Sequence, residues 1–295
     1  RFEPQLKGAE IVGGDPSVRG GWEWAVDGCD AVVNLAGHNL FGQRWNPEIK
    51  RKIRDSRVYG TENTVLAVEA ASVRPRVFVQ GSAIGYYGPH GDEELTEDAP
   101  SGPDFLGVVC REWEEASEPA SMLGCRLAIV RTGVVLGRGD GALGAMEPVF
   151  KWVPGGAAPV GNGGSLFRPA TGRQWMSWIH QADIIGLFLL ALDHPDASGP
   201  INATSPNPVR NVDFSRELAR VLHRPFLPVG PPDSVLRLAL GEVADAVTKG
   251  QRVLPAKALA LGYDFQYPDL FRALENIYRP KTPGAKQTAA APAIL

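Results

Sequence analysis

Short apolar runs alternate with longer amphipathic stretches over the first half of the chain, and this alternation constrains the fold more than any other feature. The apolar runs lie at 10–12, 31–35, 77–79 and 127–130. The amphipathic stretches between them lie at about 18–27, 46–72 and 105–122. Strands that alternate with helices form a parallel sheet covered on both faces. The sequence therefore predicts an α/β fold with a doubly wound parallel sheet.

The pattern changes after Gly137, where glycine and proline crowd positions 137–172 without a period of 2 or 3.6. Such a stretch indicates a long connection, and its part at 159–172 is a candidate lid. Beyond it the sequence predicts strands near 175–179 and 199–203, and helices at about 181–193, 211–223, 233–249 and 268–277. We expect one domain over 1–150, a small α/β lobe over 151–278 and a disordered tail over 279–295.

Charge and cysteine content narrow the classes of partner. The formal net charge is −3 and no run of like charges occurs, so we expect neither nucleic acid nor membrane as a partner. The longest apolar run, 184–192, is about half the length that a membrane span needs. Cys29, Cys110 and Cys125 form neither a disulfide framework nor a metal pattern, which favours a reducing, cytoplasmic location. A small-molecule substrate is the expected partner, and the oligomeric state stays open.

Two polar motifs follow predicted strands. Asn34, Leu35, Ala36 and Gly37 end the second apolar run, where a backbone without large side chains lets a cofactor approach, although a tight turn explains Ala-Gly equally well. The stretch 81–88, Gly-Ser-Ala-Ile-Gly-Tyr-Tyr-Gly, ends the third run. Ser82 is a candidate to bind a substrate oxygen, and Tyr86 or Tyr87 to transfer a proton; the structural alternative is a turn with two packing tyrosines.

Several strings, taken in order, resemble one family over roughly residues 9–277. They are Gly14-Asp15, the motif at 34–37, Ser56-Arg57 with Gly60-Thr61, the motif at 82–88, Thr96-Glu97-Asp98, and the stretches 131–137, 174–180, 199–206 and 250–255. They are similar to the extended short-chain dehydrogenases/reductases, and most similar to the atypical epimerase-like branch, also described as sugar-nucleotide-epimerase-like, with its C-terminal domain of unknown function. The longer strings carry this resemblance.

The resemblance implies a Rossmann-type domain over 1–150 that binds NADP, with NAD as an alternative, and a lobe that closes over the substrate. By matching position, it implies these cofactor contacts: Asp15 near the adenine, Leu35, Ala36 and Gly37 along the cofactor, Arg57 near phosphate or ribose, Ser82 at the family's serine site, and Val134 and Val135 beside the nicotinamide. The implied activity is that of an NAD(P)-dependent oxidoreductase or epimerase acting on a small hydroxy or carbonyl metabolite, with Ser82, Tyr86 and Tyr87 as catalytic candidates.

Two departures from the family pattern matter. The wider superfamily uses a tyrosine and a lysine four residues later for proton transfer, and the matching positions here are Leu106 and Cys110. We expect Cys110 to be a packed helix residue, and the loss motivates a second hypothesis, a non-catalytic NADP(H)-binding regulator or sensor.

The second departure is that no strand and glycine-rich phosphate turn precede Ala9, so the first βαβ unit is absent from this sequence. The match at 139–144 follows the wrong strand, and we interpret it as a decoy. We expect the strands at 10–12 and 31–35 to expose unpaired edges and apolar side chains, which leaves open a third reading, a fold stabilised by a partner chain.

Smaller signals favour structural roles. We expect His180 and Asp183 to cap and pack a helix rather than to form an acid/base pair. The acidic residues Glu93, Glu94, Glu97 and Asp98 are expected in a solvated loop, and Trp22, Trp24, Trp45 and Trp113 in the core.

Overall fold

A parallel sheet forms the centre of the computed structural model, which describes residues 8–41, 43–137, 143–144, 159–161, 170–228 and 230–279. The strands within these ranges are β1 (Ala31–Asn34), β2 (Val77–Ala83), β3 (Glu94–Leu95), β4 (Arg126–Thr132), β5 (Val134–Leu136), β6 (Trp175–Met176), β7 (Trp178–His180), β8 (Gly199–Ala203), β9 (Val209–Arg210) and β10 (Arg252–Val253). Four of them pair in the order β1-β2-β4-β8, all parallel. Their carboxyl ends therefore meet at one edge of the sheet.

Helices cover both faces of this sheet. In the described ranges they are α1 (Pro47–Ala70), α2 (Phe105–Glu115), α3 (Pro119–Met122), α4 (Gln181–Asp193), α5 (Asn211–Val221), α6 (Asp233–Leu240), α7 (Val243–Thr248), α8 (Ala256–Ala260) and α9 (Leu270–Tyr278). On one face Val65 and Val68 of α1 pack against Phe78, and on the other Leu187 of α4 packs against Val79 and Val130. This arrangement confirms the α/β class and the doubly wound sheet.

The amino-terminal end of α1 shows how local sequence sets an element's limits. The Asn46 side chain accepts a hydrogen bond from the backbone N–H of Ile49 at 2.8 Å, and Pro47 occupies the first turn, where its missing N–H costs nothing. The helix ends before Ala71, whose backbone is extended. The long helix predicted at 46–72 is therefore confirmed.

A second core cluster buries Trp178, Phe214, Leu218 and Leu274 together with Leu136 of β5. Asp183, a fully buried residue of α4, binds the segment before α9, because its carboxylate accepts the backbone N–H groups of Gln266 and Tyr267 at 2.7 and 3.0 Å. The His180 ring caps the same helix by accepting from Ala182 N at 3.1 Å. The packing and capping roles predicted for both residues are confirmed.

The strand predicted at 10–12 is wrong. None of its residues pairs with a strand among the described residues, and Ile11 is 61% exposed. A run of three residues, of which only Ile11 and Val12 are apolar, forms a strand only where a neighbouring strand takes up its backbone hydrogen bonds. The segment that follows lies against α1, where Asn63 Nδ2 donates to Pro16 O at 2.9 Å.

The edge predicted at the second run is present. β1 is an outer strand of the described sheet, and Val33, Leu35, Ile185 and Leu189 are all more than 40% exposed. Exposed apolar side chains are therefore present at the end of β1 and on α4 among the described residues. No helix within them is long and apolar enough to cross a membrane.

Other predictions need correction. The stretch at 18–27 forms only a short 3-10 helix, Glu23–Val26, so Trp24 lies 61% exposed outside the core. The helix predicted at 233–249 breaks at Gly241, whose φ of 67° lies in the left-handed region. Most of 137–172, the glycine pattern at 139–144, the boundary at 150 and nearly all of the tail lie outside the described residues, so those interpretations stay predictions.

The acidic loop was predicted to be solvated, and Glu97 departs from that prediction. Its carboxylate accepts the backbone N–H groups of Asn202 and Lys257 at 2.9 and 3.1 Å, and its backbone oxygen accepts from Arg131. Two donated hydrogen bonds compensate for its partial burial. Glu97 therefore links the sheet to the start of α8, whereas Glu93, Glu94 and Asp98 are exposed as expected.

Candidate functional site

Polar side chains gather at the carboxyl ends of the central strands. Asn34 of β1 is in register with Gln80 of β2, and Ser82 of β2 is in register with Arg131 of β4, which is in register with Asn202 of β8. Residues in register on parallel strands point to the same face. All five are buried, so the sequence has placed a polar layer where an apolar core would otherwise continue.

The first part of this layer holds the turn after β1. Asn34 Nδ2 donates to Thr61 Oγ1 at 2.8 Å and to Gln80 Oε1 at 3.0 Å, while Asn34 Oδ1 accepts from Ala36 N at 3.2 Å. Trp113 Nε1 also donates to Thr61 Oγ1, at 3.0 Å. The asparagine therefore fixes the backbone of 35–37, the segment in which Leu35, Ala36 and Gly37 are cofactor candidates.

The second part of the layer is a buried ion pair with two hydroxyls attached. Glu114 of α2 accepts from Arg131 Nε and Nη2 at 2.9 and 2.8 Å and from Ser82 Oγ at 2.6 Å. Arg131 Nη1 donates to Tyr87 Oη at 2.9 Å, and Tyr87 donates to Asn202 Oδ1 at 2.6 Å. Burial acts to lower the pKa of Arg131, but the hydrogen bonds and charge of Glu114 outweigh it and hold that pKa above the ordinary arginine value.

The geometry separates the three catalytic candidates. Burial raises the pKa of Tyr87 to about 12, and its proton is donated to Asn202. Ser82 is 4% exposed and directs its proton to Glu114. Tyr86 is half-buried, its ring lies 3.5 Å below the Arg131 guanidinium, and its hydroxyl has no hydrogen-bond partner in the part of the chain that the structure describes. Tyr86 is therefore the candidate whose proton is available to a ligand.

Arg57 lies beside the turn after β1. Its Nη1 donates to the backbone oxygens of His38 and Ile53 at 3.1 and 3.0 Å, and its Cζ would lie 3.0 Å from a Cβ at Gly37. Burial lowers its pKa from the ordinary value, and no carboxylate pairs with it among the described residues. A half-buried cation held by backbone oxygens and paired with no carboxylate is suited to an anionic ligand.

The positions that the resemblance assigns to tyrosine and lysine pack against the serine loop. A Cβ on Gly85 would lie 3.4 Å from Leu106 Cβ and 3.8 Å from Cys110 Sγ. Cys110 is buried, and burial raises the pKa of its thiol to about 12. The prediction of a packed helix cysteine is confirmed.

We expect thiol labelling to divide the three cysteines. Cys29 is exposed, whereas Cys110 and Cys125 are buried and the pKa of each is raised by burial. At pH 8 the folded protein should react rapidly with one equivalent of a disulfide reagent and release the other two thiols only in denaturant. Cys29→Ser should remove the rapid phase. Rapid labelling of Cys110, identified by peptide mapping, would show that the thiol is an accessible nucleophile.

The remaining candidates lie around this layer. Asp15 is exposed and accepts from Ser17 N at 2.9 Å, and the adjacent Pro16 approaches Ala36 across Gly60. Val134 and Val135 pair with Trp178 and Ile179 of β7, directly after the strand that carries Arg131. The roles assigned to Asp15, Val134 and Val135 stay predictions.

An open cavity of about 520 Å³ follows the serine and tyrosine loop. It is lined by Pro89, His90, Gly91, Asp92, Arg173, Gln174, Arg210, Lys249 and Gly250. His90 joins the cavity to the site, since its Nε2 lies 3.0 Å from Tyr87 O. Arg210 stacks 4.0 Å above the Trp175 ring and donates to Asp92. Lys249 of this lining pairs with Asp245 at 3.1 Å. No group of side chains in the described ranges has the composition of a metal site.

Sequence reasoning overlooked the residues that connect this site. Arg131, Asn202 and Glu97 lay within the matching strings and Glu114 lay outside them, and none of the four was predicted to be a site residue. Glu114 lies four positions after Cys110, on the same face of α2. An acidic residue on the apolar face of a helix is the signal that could have revealed the buried pair.

Comparison with known proteins agrees with the α/β fold described above. The profile described as NAD dependent epimerase/dehydratase family matches residues 3–203, more than half of the chain. The chain belongs to this family. A further profile, a domain of unknown function, matches residues 231–277 of this family member and confirms the expected C-terminal domain.

Individual members of the family are close in sequence. The chloroplastic epimerase family protein SDR39U1 homolog of Arabidopsis thaliana is 43% identical over 259 residues, which cover 87% of this chain and 70% of that protein. Epimerase family protein YfhF of Bacillus subtilis is 38% identical over 84% of this chain and 78% of its own length. The crystal structure of human epimerase family protein SDR39U1 with NADPH is similar with a TM-score of 0.77 and 33% identity, covering 85% of this chain and 82% of that one.

Proposed function

We propose that this epimerase family member is an NADP(H)-dependent oxidoreductase or epimerase acting on a small hydroxy or carbonyl metabolite, with Tyr86 as the proton-transfer group. The observation that carries the proposal is the Arg57 guanidinium beside Gly37, at the carboxyl end of the sheet, which contacts two backbone oxygens and the Trp113 ring but pairs with no carboxylate among the described residues. Ligands of open α/β sheets bind beyond these strand ends. The human relative that was crystallised with NADPH supports the choice of cofactor.

The residues present fit such a cofactor. A Cβ at Gly37 would meet Arg57 at 3.0 Å, and a Cβ at Gly81 would meet Asn34 O at 3.0 Å, so glycine at these positions lets the Arg57 guanidinium and the turn after β1 pack closely at the strand ends. Arg57 would hold an anionic or ribose oxygen, and Ala36 and Gly37 would line the cofactor. Asp15 would lie near the adenine, and Val134 and Val135 beside the nicotinamide.

The cofactor supplies or accepts a hydride when bound, and the protein supplies the rest of the chemistry. Tyr86 moves a proton to or from the reacting oxygen, Ser82 contacts that oxygen, and Leu106 with Cys110 packs against Gly85 of the same loop. Tyr87 is a positioning residue in this scheme, because its hydroxyl bridges Arg131 and Asn202.

Substitution of Arg57 tests the cofactor site. Arg57→Met should weaken NADPH binding about 10- to 100-fold, because a charge-assisted hydrogen bond contributes about 1.5–3 kcal/mol. The measurement is titration of the protein with NADPH, followed by cofactor fluorescence. Arg54→Met is the matched control, because Arg54 lies on the same helix and pairs with Glu112 instead. Equal affinities for the wild type and Arg57→Met would refute the assignment of Arg57.

A second function is supported by one specific observation. Leu106 and Cys110 fill the positions of the superfamily's catalytic pair and pack against Gly85, which suits a protein that binds NADP(H) without turning it over. This regulator or sensor should bind NADPH with micromolar affinity and bind a partner differently in the two redox states. The wild-type protein is tested for oxidation of NADPH across a panel of carbonyl compounds. Oxidation that is lost in Tyr86→Phe would identify the protein as the enzyme and exclude the non-catalytic regulator.

A further inference from the structure

The direction of every hydrogen bond around Ser82 is fixed by its chemistry. Arginine is only a donor and an ionised carboxylate only an acceptor, so Ser82 must donate to Glu114, at 2.6 Å. Asn202 Nδ2 donates to Leu254 O at 3.0 Å, so its Oδ1 is the atom that accepts from Tyr87. The network therefore runs in one direction and leaves neither the Ser82 nor the Tyr87 proton free.

We infer that Glu114, by taking the one hydrogen bond that Ser82 can donate, leaves Ser82 able only to accept a hydrogen bond from a ligand. The site therefore prefers a ligand hydroxyl over a carbonyl at Ser82. The Ser82 oxygen has lone pairs remaining after it donates to Glu114, and a hydroxyl can donate to them. A carbonyl oxygen in the same place has no proton to donate, so its lone pairs would face the lone pairs of Ser82 Oγ and repel them. This inference rests on the proposed function, in which Ser82 contacts the substrate oxygen.

The Tyr86 hydroxyl, whose proton is available to a ligand, strengthens this preference for a ligand hydroxyl. An alcohol oxygen can donate to Ser82 and accept from Tyr86 at once, whereas a carbonyl oxygen can only accept from Tyr86. The alcohol form of a substrate pair should therefore bind more tightly than its carbonyl form. Glu114 acts through Ser82 without touching the ligand, which makes it a positioning residue.

Neutron diffraction of the deuterated protein measures the direction itself. The deuteron of Ser82 should lie on the line from Oγ to Glu114 Oε1. A deuteron that points away from Glu114 would overturn the inference. This measurement needs no variant and no cofactor, so its outcome is independent of whether NADPH binds.

Crystals soaked in 2-propanol and, separately, in acetone test the consequence. The hydroxyl of 2-propanol should lie within hydrogen-bond distance of Ser82 Oγ at about tenfold higher occupancy than the acetone oxygen. Ser82→Ala, which removes the accepting oxygen, should abolish this preference, while Glu112→Gln on the same helix as Glu114, at a carboxylate that pairs with Arg54 instead, should preserve it. Equal occupancy by acetone, or neither probe at Ser82, would overturn the inference; failure of NADPH to bind would count only against the proposed function.

Discussion

Arg131→Met should lower the free energy of unfolding by about 3–5 kcal/mol, because it leaves the Glu114 carboxylate buried without its partner. Both side chains are less than a tenth exposed, and the two bonds that join them measure 2.9 and 2.8 Å. The substitution also removes the donor to Tyr87. Urea denaturation at pH 7, followed by tryptophan fluorescence, measures the loss.

Two further variants separate the buried charge from general damage. Arg131→Met combined with Glu114→Met should lose less than Arg131→Met alone, since no buried charge is then left uncompensated. Arg111→Met, at an exposed ion pair with Glu115, should change stability by less than about 1 kcal/mol. A double variant that is less stable than Arg131→Met alone would show that the ion pair is not what the single substitution disrupts.

Tyr86→Phe should reduce turnover about 10²- to 10⁴-fold, the range that a positioned proton-transfer group contributes. Its half-buried ring beneath Arg131 would remain, so stability should change little. Initial rates of NADPH oxidation across a panel of carbonyl compounds measure the effect, with NADPH affinity measured in parallel to show that the cofactor site is intact.

Tyr87→Phe provides the comparison. Its hydroxyl is fully buried between Arg131 and Asn202, so we expect a loss of stability of about 1–3 kcal/mol and a much smaller effect on turnover. The reverse pattern, with Tyr87→Phe inactive and Tyr86→Phe active, would show that Tyr87 transfers the proton and would contradict our assignment of Tyr86.

The sequence predicted those elements whose signal is local and long. α1 has an asparagine cap, a proline in its first turn and six turns of regular spacing, and α4 agrees with its predicted limits at 181–193. The prediction of a strand at 10–12 failed because pairing in a sheet depends on a neighbouring strand, which so short a run does not reveal. The prediction that Trp24 lies in the core failed because the short 3-10 helix that contains it buries only Val26.

The candidate site was predictable in its position and less so in its chemistry. The ends of β1 and β2 were located from apolar runs followed by small polar residues, and Ser82, Tyr86 and Tyr87 do lie at one edge of the sheet. Which hydroxyl is available depends on partners 32 and 115 residues away, Glu114 and Asn202. No local pattern specifies such contacts, so the distinction between Tyr86 and Tyr87 required the structure.

A crystal structure of the protein grown with NADPH tests the central claim, that this sheet edge holds the cofactor. We predict a phosphate or ribose oxygen within hydrogen-bond distance of the Arg57 guanidinium, and the nicotinamide beside Val134 with Ser82 and Tyr86 facing it. NADPH bound away from Gly37, with Arg57 contacting only His38 and Ile53 as it does here, would contradict the account.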